Sequence, residues 1–308
     1  MIDITLLGTA ALAPLPNRAL TAVFLSCGGH SILFDCGEGT QSAARKANVS
    51  LMKTDIIALT HYHGDHIFGL PGLMQTMTCM GRTQTLYVTG AAGLTEIMEP
   101  ILKLVGQTTY EVKLFEMPSG GLKLCKLIDG WTPAAKLTAF GTEHRVPSQG
   151  YRFDLSRAGK FMPQRAKELG IPVKQWGILQ RGESVTLDGK IILPEEVLGE
   201  ERKGLSFVFG GDTMMCDNLI AAARGADLLI SEATYGENEQ ATLAEEHGHM
   251  NFAQAAQVAA RAQVKELWLT HYSQMIVNPQ EYLPNATAIF KNTLCGRDGL
   301  STTLRFED

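Results

Sequence analysis

Short apolar runs separated by glycine and polar turns recur along the chain and predict a succession of strands. Residues 2–7 read as the first, followed by Gly8-Thr9 and a loop through Ala13-Pro14-Leu15-Pro16-Asn17-Arg18. Residues 22–25 and 31–34 read as two more, with a Gly28-Gly29 turn between them. Asp35-Cys36-Gly37-Glu38-Gly39-Thr40 then leads into a helix over 41–47, since glycines permit a tight strand-to-helix reversal. The apolar run 56–59 follows, then a helical pattern over 66–80 interrupted near Pro71-Gly72, a strand at 86–88 and a helix over 93–105. Between 111 and 143 short strands alternate with glycine turns and end on the run 137–140.

From Leu205 onward strands and helices alternate: strand 206–209, helix 218–223, strand 227–230, helix 252–262 with Asn251 placed to cap it, and strand 266–270. Strand, helix, strand in series implies parallel pairing with helices on a sheet face. Ligands of such sheets gather beyond the carboxyl ends of the strands. His61, His144, Asp212 and His271 each follow an apolar strand-like run, which predicts that they meet.

The densest chemistry lies in Thr60-His61-Tyr62-His63-Gly64-Asp65-His66, where a strand stops and a helix begins. Histidine is the commonest biological metal ligand, and zinc favours nitrogen donors completed by a carboxylate. Residues at i and i+2 converge on one ion from a tight loop, while Asp65-His66, turned by Gly64, can face a second. The bland alternative, an exposed polar loop, fits His-x-His alone but not the whole run at a strand end. The pattern therefore reads as a two-metal hydrolytic site. His30, at a turn, reads as a surface residue, and His247 as either incidental or a neighbour of His249.

A chain of 308 residues with 45% hydrophobic and 19% charged residues is globular and long enough for a real core. Its formal net charge of −5 confines any nucleic-acid surface to a local patch. Such a patch is visible within residues 152–203, which have few long apolar runs and many breakers. Between Arg157 and Arg181 lie six basic residues (Arg157, Lys160, Arg165, Lys167, Lys174, Arg181) against one acid, Glu168, a local +5. A charge run is ordinarily a solvated face; Trp176 among these cations favours an RNA-binding arm instead. The six cysteines contain no Cys-x-x-Cys pair and suit reduced thiols in the cytosol. The N-terminal run lacks a basic leader, and no apolar stretch approaches the roughly 18 residues of a membrane span.

With these residues in view, the chain resembles the metallo-β-lactamase superfamily and, within it, the ribonuclease Z family. The likeness runs through residues 34–41, 60–66, Pro71-Gly72-Leu73, His144-Arg145-Val146-Pro147, residues 194–199, Gly211-Asp212-Thr213, Glu232-Ala233-Thr234 and Thr270-His271. The histidine motif marks the superfamily; the insertion between His144 and Asp212, with Leu179-Gln180-Arg181-Gly182, points to the family. The resemblance implies an α/β four-layer αβ/βα sandwich, one domain over 1–308 with a tRNA-binding arm inserted at 152–203. It implies two zinc ions per chain, or manganese or iron in their place. His61, His63 and His144 would hold one, Asp65, His66 and His271 the other, with Asp212 bridging. Asp65 would take a proton from the attacking water; His249, oriented by Glu232, would protonate the departing 3′-oxygen. The implied reaction removes the 3′ trailer of precursor tRNA, leaving a 3′-hydroxyl on the tRNA and a 5′-phosphate on the trailer. A cytoplasmic homodimer is the form implied.

Arg18, Lys160, Arg165, Lys174 and Arg181 are the candidates for contact with substrate phosphate. Three positions depart from the family pattern: Met250-Asn251 stands where Ser-Thr is common, Val173-Lys174-Gln175 replaces a fuller Gly/Pro run, and Ser231 replaces a frequent histidine. A second reading keeps the metals but makes the substrate a small or cyclic phosphodiester. A third, an RNA-binding subunit without catalysis, sits poorly with a complete set of seven candidate ligands.

Overall fold

Strands that are apolar on both faces must be covered on both faces. In the computed structural model, which describes residues 1–307, a second sheet covers one side and helices the other. In chain order the strands are β1 (Ile2–Gly8), β2 (Ala22–Cys27), β3 (His30–Phe34), β4 (Ile56–Ala58), β5 (Leu86–Thr89), β6 (Val112–Leu114), β7 (Leu122–Lys123) and β8 (Ala135–Gly141). There follow β9 (Gln149–Arg157), β10 (Val185–Leu187), β11 (Lys190–Ile192), β12 (Arg202–Phe209), β13 (Leu228–Glu232), β14 (Leu267–Thr270), β15 (Thr293–Cys295) and β16 (Ser301–Leu304). The helices are α1 (Thr40–Lys46), α2 (Gly64–Ile67), α3 (Leu70–Cys79), α4 (Leu94–Val105), α5 (Pro163–Glu168), α6 (Val173–Gln180), α7 (Asp217–Ala223), α8 (Ala241–Glu246), α9 (Phe252–Ala262) and α10 (Leu283–Thr287).

One sheet runs β16-β1-β2-β3-β4-β5-β6, antiparallel as far as β3 and parallel from β3 to β6. The other runs β15-β14-β13-β12-β9-β8-β7, parallel from β15 to β12 and antiparallel beyond. The two-residue side-chain period of a strand sorts the core. Ile32 and Phe34, Ile56 and Ala58, Phe207 and Phe209, and Leu228 and Ile230 meet between the sheets. The intervening Leu33 and Ile57 pack beneath α1, α3 and α4, and Val208 and Leu229 against α7 and α9. The layers are thus helix, sheet, sheet, helix, as expected.

β12 begins at Arg202 and not at 206, α8, α10, β15 and β16 were not expected, and two further differences have a physical cause in the packing. The helical pattern over 66–80 breaks at Phe68-Gly69, not at Pro71, which lies in the first turn of α3 where its missing N–H costs nothing. Gly69 donates its N–H to Cys36 O, and a Cβ there would meet Gly37 O at 2.3 Å. Close approach of α3 to the loop after β3 therefore sets the break. In the stretch 152–203, residues 152–157 lie in β9 and 202–203 in β12, with Arg157 and Arg202 paired in register. Between them, α5, α6 and the β10–β11 hairpin enclose a separate small cluster of Ala166, Ile171, Leu179, Val185, Ile192 and Val197. Trp176 belongs to that unit: its Nε1 donates to Ile171 O at 2.9 Å and its ring packs on Phe161. Among the described residues, no helix is long and apolar enough to cross a membrane.

Candidate metal centre

Loops leaving the carboxyl ends of β4, β12 and β14 open on the same end of the sandwich, because these strands belong to the parallel parts of facing sheets. The loop after β4 carries His61 and His63, and the first turns of α2 carry Asp65 and His66. His144 comes from the loop between β8 and β9, Asp212 from the turn after β12 and His271 from just beyond β14. Gly211 makes the turn after β12 with φ +64, and a Cβ there would lie 2.8 Å from the Thr60 side chain.

All seven expected ligands converge. His61 Nε2 lies 3.0 Å from His63 Nδ1, which is 3.4 Å from His144 Nε2. His271 Nε2 lies 3.3 Å from His66 Nε2 and 3.4 Å from Asp65 Oδ2. Asp212 Oδ2 sits between the two groups, 3.7 Å from His61 Nε2, 3.4 Å from His66 Nε2 and 3.2 Å from His271 Nε2. The ligand atoms within His61-His63-His144, within His61-His66-Asp212 and within Asp65-His66-His271 all fall inside 4.8 Å of one another.

The rings are aimed by partners on their far nitrogens. Asp35 Oδ2 lies 2.8 Å from His66 Nδ1, Gly248 O 2.7 Å from His144 Nδ1, Thr234 Oγ1 3.0 Å from His271 Nδ1 and Thr60 Oγ1 3.1 Å from His61 Nδ1. An imidazole bonded through one nitrogen turns the lone pair of the other inward, which is how metal-binding histidines are oriented. Burial drives the His61 imidazolium down to about 2, so this ring stays neutral. Burial acts against ionisation of Asp212, but His271 and His66 alongside hold it well below the usual carboxylate range.

This donor set fits divalent cations. His66 Nε2 and His271 Nε2 approach to 3.3 Å, which requires a proton or a metal cation between them, and Asp212 Oδ1 is buried with no hydrogen-bond partner. Asp35 (φ +55) and His271 (φ +58) both adopt the left-handed backbone region that L-residues avoid. Such conformations cost of order 1–3 kcal/mol and persist where the surroundings over-determine them, typically at functional sites.

Beside the cluster the buried Glu232 pairs with the half-buried His249. Glu232 Oε1 lies 2.8 Å from His249 Nδ1 and also accepts from Thr213 N at 2.9 Å. Its Oε2 accepts from Thr234 Oγ1 at 2.7 Å and Met250 N at 3.1 Å. Burial opposes charge on His249, but Glu232 outweighs it and raises this imidazole to about 9. The ring stacks on His271 at 5.5 Å, and its Nδ1 is 4.0 Å from Asp212.

The Met250-Asn251 departure has a local reason. Met250 is fully buried against α9, and Asn251 caps that helix: Oδ1 accepts from Gln254 N at 2.8 Å while Gln254 Oε1 accepts from Asn251 N at 2.9 Å. Ser231 is buried within β13, its Oγ 3.2 Å from Glu232 O.

Other candidates lie outside the cluster. Lys160, Arg165, Lys174 and Arg181 are exposed on the separate unit, Arg165 paired with Glu168 and Arg181 with Glu183. Arg18 donates to Val277 O and lies over the Tyr272 ring, bracing the loop after β14. His247 bonds the Tyr235 hydroxyl. His30, expected at the surface, is half-buried: it stacks on Trp131 at 4.9 Å and pairs with Asp55 at 3.3 Å. Asp35, Thr234 and the Gly248 carbonyl were not foreseen as orienting groups. Asp35 had a signal, a carboxylate just past a strand end; a backbone carbonyl carries none.

A profile of the beta-lactamase superfamily domain matches residues 197–272, and one of the anti-Pycsar protein Apyc1 matches residues 2–110. Ribonuclease Z of Agathobacter rectalis is 39% identical over 308 residues, all of both chains. Ribonuclease Z of Lachnoclostridium phytofermentans is 39% identical over 307 residues, 100% of this chain and 99% of that one. Among solved structures, human tRNase Z, short form, superposes with a TM-score of 0.69 at 26% identity, covering 99% of this chain and 100% of that one. The metallo-beta-lactamase fold protein YhfI from Bacillus subtilis gives the same TM-score at 22% identity, covering 98% of each chain, a likeness of fold. Full-length identity at this level, on a fold whose strand ends gather seven candidate metal donors, makes the chain a member of the ribonuclease Z family.

Proposed function

We propose that this protein is a zinc-dependent endoribonuclease that removes the 3′ trailer from precursor tRNA, acting as a homodimer in the cytoplasm. The observation that carries the proposal is the pairing of two histidine-rich triads through Asp212, with the Glu232–His249 couple against their edge. Family membership assigns the RNA substrate to that chemistry. Six free cysteines without a disulfide support a reducing compartment.

His61, His63 and His144 would hold one ion, Asp65, His66 and His271 the other, and Asp212 both. When bound, two such ions supply Lewis acidity, offsetting charge on the phosphoryl oxygens and making water more acidic. Asp65 accepts the proton of the attacking water; its Oδ2 is fixed by a 2.8 Å bond from Leu12 N–H. His249, its Nδ1 engaged by Glu232, presents the opposite edge of the ring and donates a proton to the departing 3′-oxygen. Breaking the bond to that oxygen leaves a 3′-hydroxyl on the tRNA and the phosphate on the trailer. Residues 158–201, with their exposed cations, hold the tRNA body away from the site.

The test is cleavage of a precursor tRNA by purified protein, with metal analysis, with and without a chelator. Zinc near two per chain and chelator-sensitive cleavage just past the discriminator base are expected. Metal-loaded protein inert on precursor tRNA but active on a small phosphodiester would transfer the assignment to that substrate class.

A further inference from the structure

At the opposite end of the second sheet from the metal centre, where β9 ends and β12 begins, a cleft of about 440 Å³ is lined by Arg157, Lys160, Arg202, Lys203, Lys265 and Arg305. β12 runs from this cleft towards Asp212, seven residue steps from Arg202 to Phe209, or roughly 23 Å at strand rise. The cleft is therefore distinct from the hydrolytic site.

Among the described residues, two carboxylates, Asp227 and Glu307, line the cleft with these six cations. Asp227, itself buried, is already bound to Lys203 at 3.5 Å, Lys265 at 3.1 Å and the Ser206 N–H at 2.8 Å, so it serves the frame of the cleft. The other, Glu307, reaches in from the exposed segment after β16, and its Oε1 takes Lys265 Nζ at 2.6 Å. Arg157 donates to the Glu307 backbone carbonyl and lies 4.9 Å over the Phe306 ring. Arg202 spends its Nε on Ala158 O at 3.0 Å, which fixes the guanidinium at the mouth.

We infer that this cleft is a binding site for phosphate-bearing anions, which the Glu307 carboxylate partly occupies in their stead. Several guanidinium and ammonium groups converge on a concave surface, and planar guanidinium groups match phosphate oxygens in pairs. Among the described residues, cations outnumber carboxylates in this recess of an otherwise acidic protein, which selects anions by field as well as by contact. Glu307 is exposed and held by one ammonium, so a di- or triphosphate carrying more charge displaces it. The phosphates belong either to a free polyphosphate or nucleotide, or to an RNA backbone; the chemistry of recognition is shared.

Isothermal titration of the full-length, metal-loaded protein with sodium triphosphate, and separately with a non-cleavable 2′-O-methyl RNA oligomer, tests this. Binding of triphosphate is expected, weakened at least about tenfold in Arg202→Gln/Arg305→Glu and tightened about threefold in Glu307→Gln. Arg305→Glu alone, at an exposed position, retains a clear weakening should the double variant melt early. A response to the RNA oligomer alone, lost in the same variants, assigns the site to backbone phosphates; a response to triphosphate assigns it to free anions. Binding that survives both variants unchanged belongs to the metal centre and overturns the inference, as does no binding of either probe.

Discussion

His66 Nε2 and His271 Nε2 stand 3.3 Å apart although 205 residues separate them in the chain. Each ring is held from behind, His66 by Asp35 and His271 by Thr234, so the approach is built into the fold. Facing sheets bring the ends of β4 and β14 together, and the outer partners then rotate the rings until the two Nε2 atoms face each other. On the proposed function, metal affinity would thus depend on residues that touch no metal.

Asp35→Ala removes the acceptor that fixes His66. Metal affinity is expected to fall about 10- to 100-fold, as second-sphere losses commonly do. Metal content after dialysis against a buffered zinc series checks it. Unchanged affinity in a folded Asp35→Ala protein would show that His66 needs no such anchor.

His249→Ala is expected to lower kcat on precursor tRNA by about 10²- to 10⁴-fold, the span of a general acid, with metal content retained. Glu232→Gln should lose less, because an amide oxygen at the Oε1 position can still accept from His249 Nδ1 and Thr213 N–H, while the bond from Met250 N–H to Oε2 is lost. A His249→Ala enzyme with full turnover would remove the imidazole from the proton path.

Excision of residues 158–201 separates scaffold from arm. Arg157 and Arg202 are cross-strand partners, so a two-residue Asn-Gly turn can join β9 to β12 without disturbing the sheet. The shortened protein is expected to keep its melting transition and its rate on a small phosphodiester, and to lose precursor-tRNA cleavage. If tRNA cleavage survives, the cations of this segment do not hold the substrate.

Charge reversal at Arg165 and Lys174 is the gentler form of the same question. KM for precursor tRNA should rise roughly tenfold, and the salt dependence of binding should flatten, since fewer counterions are released. Filter binding across a salt series gives the slope; an unaltered slope would count against phosphate contacts there.

Asn251→Ala is expected to destabilise the fold by about 1 kcal/mol through loss of the α9 cap, whereas Asn251→Thr should be nearly neutral. Denaturant midpoints at fixed m-value measure both. Equal loss in the two variants would mean that the cap is not what Asn251 contributes.

The amino-acid pattern by itself did not determine β9, the β10–β11 hairpin, β15 or β16; it determined the strands that lead into the site, β1 to β5, β8 and β12 to β14, and the polar residues at their ends. These follow from the two-residue period of an extended chain and from local turn chemistry, both written within a few positions of each residue. His61, His63, Asp65 and His66 were legible because one loop holds them, and His144, Asp212 and His271 because each stands beyond an apolar run. Only the tertiary structure decided which outer group meets which imidazole: Asp35 reaches His66 across 31 residues, and the Gly248 carbonyl reaches His144 across 104. The helix break at Gly69 came from packing against the Cys36–Gly37 loop, and the burial of His30 from Trp131. Close packing between segments distant in the chain leaves no local trace, because its energy depends on which surfaces meet and not on which residues are neighbours.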